Sequence, residues 1–219
     1  MLNFPVTILD NFFDDPDAVR RFALEQEYVK DPRHKWPGKR TDLISNLNEE
    51  LFNHFTRRFF SLFWDFKYSD IDWSVNAYFQ KIDSKYNSGW VHPDRYTILS
   101  GIIYLNPNPN INGGTSIFYR KKDKPFSDTK YDQIKEKSYS DKIFNEESEK
   151  YRLENNNQFE ETIKINNVYN RLISFDSYQF HSANSFFGDE SDSDERLTLV
   201  FFVEKIGSSV LPVVRAKQF

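Results

Sequence analysis

Gly89-Trp90-Val91-His92-Pro93-Asp94 is the stretch on which the reading of this chain turns. It contains His-x-Asp, an imidazole and a carboxylate two residues apart. Strand side chains repeat every two residues, so His92 and Asp94 can point the same way from one extended segment. Such a pair suits a borderline divalent ion, and a second imidazole would complete a facial set that leaves coordination positions open. Alone, a His two residues before an Asp at a turn is more often coincidence than motif. The other parts must come from elsewhere in the chain, in workable order.

Around this stretch the pattern is that of strands. Upstream, Val75-Asn76-Ala77-Tyr78-Phe79-Gln80 alternates, with Asn76, Tyr78 and Gln80 on one face. Downstream, Ile98 to Leu105 is strongly apolar and stops at Asn106-Pro107-Asn108-Pro109-Asn110; Gly113-Gly114 then opens Thr115 to Arg120. Strands resume at Thr162 to Ile165 and Arg171 to Phe175, His181 follows a turn, Gly188 to Glu195 is an acidic loop, and Arg196 to Val203 is the last long strand. Residues 121 to about 160 are rich in Lys, Asp, Glu, Ser and Asn. They read as a solvated, partly helical insertion, with a lid or partner-binding element as the functional alternative.

The N-terminal part reads differently. Val6 to Leu9 is a short strand candidate. Asp15 can cap a helix, Pro16 fits its first position, and Val19, Phe22 and Ala23 mark its buried face to about Tyr28. Asp31 to Arg40 is a loop, with Trp36-Pro37-Gly38-Lys39-Arg40 as a turn. A second helix is expected from Asn48 to Phe63, with Phe52, Phe55, Phe59 and Phe63 as core and His54 on the outer face. Two helices followed by about eight strands predict a mainly β chain with flanking helices (α+β), a sandwich or jelly roll with the helices packed outside.

Composition narrows the function. The 219 residues and 22 Phe supply one large core, and no linker composition divides it. A single domain over 1–219 is expected: helical support in 1–72, a β core in 73–203 with the insertion at about 121–160, and a tail from 204 to 219. Zero Cys excludes disulfides, thiolate metal sites and a Cys nucleophile. No apolar run approaches the ~20 residues of a membrane span, and the start shows no secretion signal. An intracellular, cytoplasmic setting is the expectation. A net charge of −4 argues against a broad electrostatic grip on nucleic acid.

His181 is the obvious third ligand, with His34 as competitor. Arg196 and Thr198 share one face of an apolar strand, so a guanidinium and a hydroxyl could grip a carboxylate together. The plainer alternative pairs Arg196 with the acidic loop before it. Tyr104 and Asn106 also share a face, and a Tyr pointing inward needs a partner for its hydroxyl.

The order His92-x-Asp94, Tyr104-Leu105-Asn106, Gly113-Gly114-Thr115, His181 and Arg196-x-Thr198 resembles the Fe(II)/2-oxoglutarate-dependent oxygenases, in their prolyl-hydroxylase-like branch. Asn170-Arg171-Leu172-Ile173-Ser174-Phe175 leading to His181-Ser182-Ala183 is similar to the same branch. Leu9-Asp10-Asn11-Phe12-Phe13, Asp15-Pro16 and Pro37-Gly38-Lys39-Arg40 look like uncharacterised members of that superfamily. The resemblance implies a double-stranded β-helix with Fe(II) held by His92, Asp94 and His181. It implies 2-oxoglutarate as co-substrate, its far carboxylate on Arg196 with help from Thr198 and Tyr104, and Tyr78 or Asn76 lining the same pocket. Ascorbate is a further cofactor candidate. The carboxylate of Asp94 favours oxygenation over halogenation, since the superfamily's halogenases lack it. The expected substrate is peptidyl or amino-acid-like. The rival readings are oxidative demethylation of nucleic acid, which needs a basic face, and a non-catalytic jelly-roll binding module. Oligomeric state is not legible.

Overall fold

The longest pairing in the chain is between β3 (Ile71–Ile82) and β9 (Arg196–Ser208), antiparallel from Ile71 opposite Ser208 to Ile82 opposite Arg196, with a bulge between Ser74 and Val75. The computed structural model describes residues 5–33, 35–67, 70–121, 146–189 and 194–210, with the single positions 133, 135, 136, 139 and 212. The competing His34 and much of the 121–160 insertion therefore lie outside the described residues. Around the β3–β9 ribbon stand β1 (Thr7–Leu9), β2 (Lys39–Arg40), β4 (Leu99–Tyr104) and β7 (Leu172–Asp176), forming a six-stranded sheet in the order β1-β7-β4-β9-β3-β2. A three-stranded sheet contains β6 (Phe159–Ile165), β5 (Thr115–Arg120) and β8 (Phe180–Ala183), in that order. All the pairings are antiparallel.

Helices cover one face of the large sheet. In α1 (Pro16–Leu24), the Asp15 carboxylate accepts from Ala18 N at 2.9 Å, Pro16 fills the first position, and Val19 and Ala23 are buried. The helix stops a turn before the expected Tyr28. Val29 leaves to bridge Arg40, exchanging two backbone hydrogen bonds with it at 2.8 and 2.9 Å. The Tyr28 hydroxyl then donates to the Ala23 carbonyl at 2.9 Å, alongside Gln26 N at 3.3 Å. A one-turn α2 (Ile44–Leu47), absent from the sequence pattern, precedes α3 (Glu49–Phe60). Asn48 caps α3 through Leu51 N at 2.9 Å. Phe55 and Phe59 meet Phe201 of β9 edge-on, at ring separations of 5.1 and 4.8 Å. Phe12, Phe60, Phe63 and Phe79 complete this core, and Phe52 packs at its margin. The expected helix to Phe63 ends at Phe60, and His54 lies on the exposed side of α3 as its spacing indicated.

Lys39 and Arg40, expected within a turn, form the edge strand β2 against Lys81 and Gln80. The turn proper is confined to Trp36–Gly38. Gly38 has φ of 72°, and a Cβ there would stand 2.0 Å from the Lys81 carbonyl oxygen, so glycine alone fits.

In the insertion, α4 (Glu146–Asn156) is docked rather than free. Its Ser148, Arg152 and Asn155 are buried. Among the described residues no helix is long and apolar enough to cross a membrane.

Candidate metal and carboxylate site

Two segments from different parts of the fold bring the metal-ligating groups together. His92 and His181 pair as an isolated antiparallel bridge, exchanging backbone hydrogen bonds at 3.1 and 3.0 Å. His181 stands on β8, whereas the sequence placed it only after a turn. Asp94 N donates to Ser177 O at 2.8 Å, which fixes the far end of His-x-Asp. Pro93, which has no backbone N–H to donate, is accommodated because the backbone bonds come from 92 and 94 on either side of it.

The side chains then converge. His92 Nε2 is 3.6 Å from Asp94 Oδ1, His181 Nε2 is 3.4 Å from Asp94 Oδ2, and the three ligand atoms all lie within 4.8 Å of one another. Each imidazole has its Nδ1 against a carbonyl, Trp90 O at 2.7 Å for His92 and Gln179 O at 2.9 Å for His181. A proton on Nδ1 leaves the Nε2 lone pairs facing Asp94, the arrangement a metal-ligating His requires. Burial lowers the His92 pKa to about 3, with the Lys135 and His181 charges in the same direction and Asp94 opposing. Burial by itself would raise the Asp94 pKa, but its close polar neighbours His181, His92 and Ser100 hold it below the usual carboxylate range. A neutral imidazole beside an ionised carboxylate is the donor state for a divalent cation. These three could hold one, with positions left open on the cavity side.

The cavity lies between the two sheets. Gln80, Ser100, Ile102, Arg196, Val200 and Phe202 line it from the large sheet, and Thr115, His181 and Ala183 from the small one. Arg196 is 2% exposed. Its Nε donates to Gly113 O at 2.9 Å, while its Nη2 has no hydrogen-bond partner. Thr198 Oγ1, also fully buried, has none either. Among the described residues no carboxylate forms an ion pair with Arg196; Glu190 and Asp192 of the acidic loop lie outside the described residues. Burial lowers the Arg196 pKa, against the opposing influence of Tyr104. The Tyr104 hydroxyl donates to Thr115 Oγ1 at 2.9 Å, and the guanidinium carbon lies 5.3 Å from the Tyr104 ring. A buried cation without a counter-charge is costly. Together with an unsatisfied hydroxyl two residues away, it fits a carboxylate ligand.

Other residues singled out from the sequence divide. Tyr104 and Thr198, opposite each other on β4 and β9, are not among the cavity-lining residues. Asn106 turns away from the cavity to hold Glu195 O and Leu197 N. Asn76 and Tyr78 are not among the lining residues: Asn76 donates to Glu204 at 2.6 Å, and Tyr78 stands beside Arg40. Gln80, on their face, does reach the cavity. Trp36 and Trp90 line it, with Tyr139 beside Trp90. Arg40 lines it too, and only its place in a Pro-Gly-Lys-Arg segment marked it in the sequence.

The insertion helix supports this site from outside. Asn156 Oδ1 accepts from Val91 N at 2.9 Å and its Nδ2 donates to Gly89 O at 3.0 Å, while Asn155 Nδ2 donates to Val91 O at 3.0 Å. Arg152 reaches Ser88 and pairs with Glu149. The backbone entering His92 is thus clamped by α4.

The family model DUF6445, a family of unknown function, matches residues 3–203. No curated protein matches the sequence. Several solved structures do resemble this one. A prolyl hydroxylase from Trichoplax adhaerens, solved with a hypoxia inducible factor oxygen degradation domain peptide fragment, gives a TM-score of 0.53 at 13% identity, over 90% of this chain and 82% of that one. HygX from Streptomyces hygroscopicus, solved with nickel and 2-oxoglutarate, gives 0.50 at 8% identity, over 90% and 82%. EvdO2 from Micromonospora carbonacea var. aurantiaca, complexed with 2-oxoglutarate, gives 0.50 at 11% identity, over 96% and 90%. At such identities the likeness establishes a shared fold.

Proposed function

The chain belongs to DUF6445, a family of unknown function, and for it we propose a non-haem Fe(II)- and 2-oxoglutarate-dependent dioxygenase that hydroxylates a peptidyl or amino-acid-like substrate. The fold alone would not carry this, since one fold hosts many chemistries. The observation that carries it is a single cavity holding both the His92–Asp94–His181 cluster and the buried, uncompensated Arg196. The two sheets are the halves of a double-stranded β-helix with the N-terminal helices outside, and 1–219 acts as one oxygenase domain. The Trichoplax prolyl hydroxylase with its peptide, and the two proteins solved with 2-oxoglutarate, are consistent with both parts of the site.

His92 Nε2, Asp94 and His181 Nε2 would hold the iron. Arg196 binds the distal carboxylate of 2-oxoglutarate; Thr198, buried without a partner two residues on, is the hydroxyl available to it, while the Tyr104 hydroxyl stays on Thr115. When bound, Fe(II) with 2-oxoglutarate and dioxygen supplies the oxidation: the keto acid becomes succinate and CO2, and one oxygen atom enters the substrate as a hydroxyl. Ile102, Phe175 and Val200 form apolar wall between the two ends and keep the Arg196 end dry, which strengthens its grip on an anion. Asn76 and Tyr78 have no part in co-substrate binding in this scheme.

Anaerobic addition of Fe(II) and 2-oxoglutarate should produce a weak visible charge-transfer band, absent in Asp94→Ala. A wild-type protein that binds no Fe(II) would end this reading.

A further inference from the structure

The cavity contains a second arginine that the co-substrate does not use. Arg40 is the last residue of β2, at the edge of the large sheet and two strands from Arg196 on β9. Its guanidinium carbon lies 4.3 Å from the Trp36 ring centre, 5.3 Å from Phe202 and 5.6 Å from Tyr78. Three rings stabilise a cation by their electron-rich faces, but they offer it no hydrogen-bond acceptor. No described oxygen accepts from the guanidinium, and its Nε is sealed from solvent without a partner. The neighbouring Trp36 Nε1 is an equally sealed, unpartnered donor. Leaving such buried donors unmet is costly.

The position is fixed by its surroundings. Arg40 exchanges backbone hydrogen bonds with Val29 and pairs with Gln80. Gln80 Nε2 in turn donates to Pro37 O at 3.0 Å, which ties down the turn that carries Trp36. Among the described residues, counter-charge is not the explanation. Asp94 and Asp31 act on Arg40 only at long range, outside ion-pair distance. Asp31 is already engaged by Arg33 and the Lys35 amide, and a bound metal would claim the charge of Asp94. Burial lowers the Arg40 pKa to about 10, so the group is a cation at neutral pH.

We propose that Arg40, framed by Trp36, Tyr78 and Phe202, anchors a carboxylate of the substrate, so that the substrate is an organic acid such as a free amino acid or a chain-terminal acyl amino acid. A planar guanidinium in a flat aromatic slot matches a planar carboxylate, which takes parallel N–H donors from one edge. The proposal rests on the cavity being the oxygenase site, and it divides the two arginines between co-substrate and substrate.

The test is the arginine Nε–H region of a 15N-labelled sample loaded with Zn(II) and saturating 2-oxoglutarate. Arg40→Lys and Arg196→Lys assign the two resonances, and Trp36→Phe, which alters the ring over Arg40, gives the assignment again if Arg40→Lys does not fold. Glycine, N-acetylglycine, N-acetylglycinamide and inorganic phosphate are titrated in turn. The Arg40 resonance should shift saturably with glycine or N-acetylglycine, the responsive one marking a free or an acylated amino acid. The amide should bind at least about tenfold more weakly, the loss of one charge-assisted contact. No response to either carboxylate, an equal response to the amide, or a response to phosphate alone would overturn the proposal. The Arg196 resonance reports separately: if 2-oxoglutarate with Zn(II) leaves it unmoved, the co-substrate reading fails, whatever Arg40 does.

Discussion

Replacing Asn156 by Ala should loosen the loop that delivers His92. The side chain accepts from Val91 N at 2.9 Å and from Asn155 Nδ2 at 3.0 Å, and it donates to Gly89 O at 3.0 Å. Val91 is 3% exposed, so water cannot replace the lost partner of its N–H. Each intramolecular bond contributes about 1 kcal/mol net, and an orphaned buried donor costs about 1–3 kcal/mol. With the Val91 N–H as the orphaned donor and the other two bonds at about 1 kcal/mol each, the destabilisation is about 3–5 kcal/mol, read as a lower urea midpoint with an unchanged slope. Metal affinity should fall about 10–100-fold, the usual effect of losing support behind a ligand, measured by calorimetric titration with Mn(II). Leu153→Ala, at a half-exposed position of the same helix, is the control and should stay within about 0.5 kcal/mol of wild type. If Asn156→Ala matched that control in both stability and Mn(II) affinity, α4 would be a bystander to the site.

Further outcomes follow from the charges. Arg196→Met removes a buried guanidinium whose Nη2 has no partner, so the ligand-free protein should be no less stable by thermal unfolding. The same variant should lose the stabilisation that 2-oxoglutarate gives wild type, with affinity weakened by about 2–5 kcal/mol; an undiminished thermal shift would remove Arg196 from the site. Asp10 pairs with Arg171 at 2.6 and 2.9 Å, and the hydrogen bond from Arg171 lowers its pKa against a smaller effect of burial. A carboxylate with a depressed folded-state pKa adds stability above its unfolded value near 3.8 and loses it as pH falls through the lower one. Asp10→Asn should therefore cost at most about 1 kcal/mol at pH 7, screened by its exposure, and the gap to wild type should close in acid. A gap that persisted at pH 2 would assign the effect to packing.

Much of this architecture was legible because local chemistry and global fold agree. Asp15-Pro16 announces α1, and Phe55 and Phe59 at helical spacing place α3 on the sheet. The parity of His92 and Asp94 put both on one side of an extended segment. The segments Leu9 to Phe13 and Asn170-Arg171 hold each other: Asn170 bonds the Phe13 amide and carbonyl, and Arg171 holds Asp10. Where the sequence misled, the physics lay outside the pattern. Two residues of β2 are too few to show a period, so Arg40 was hidden in a turn. α4 docks through Ser148, Arg152 and Asn155, and a polar contact face looks like a solvated one. Alternation put Asn76, Tyr78 and Gln80 on one face but could not say that only Gln80 lies deep enough to reach the cavity. The end of α1 was set by the Val29–Arg40 bridge, a partner eleven residues further on.

A crystal soaked anaerobically with Mn(II) and 2-oxoglutarate probes the shared site most directly. The expected result is one anomalous peak about 2.0–2.2 Å from His92 Nε2, an Asp94 oxygen and His181 Nε2, with the far carboxylate of the keto acid on Arg196. Metal bound elsewhere, or a keto acid lying away from Arg196, would contradict it.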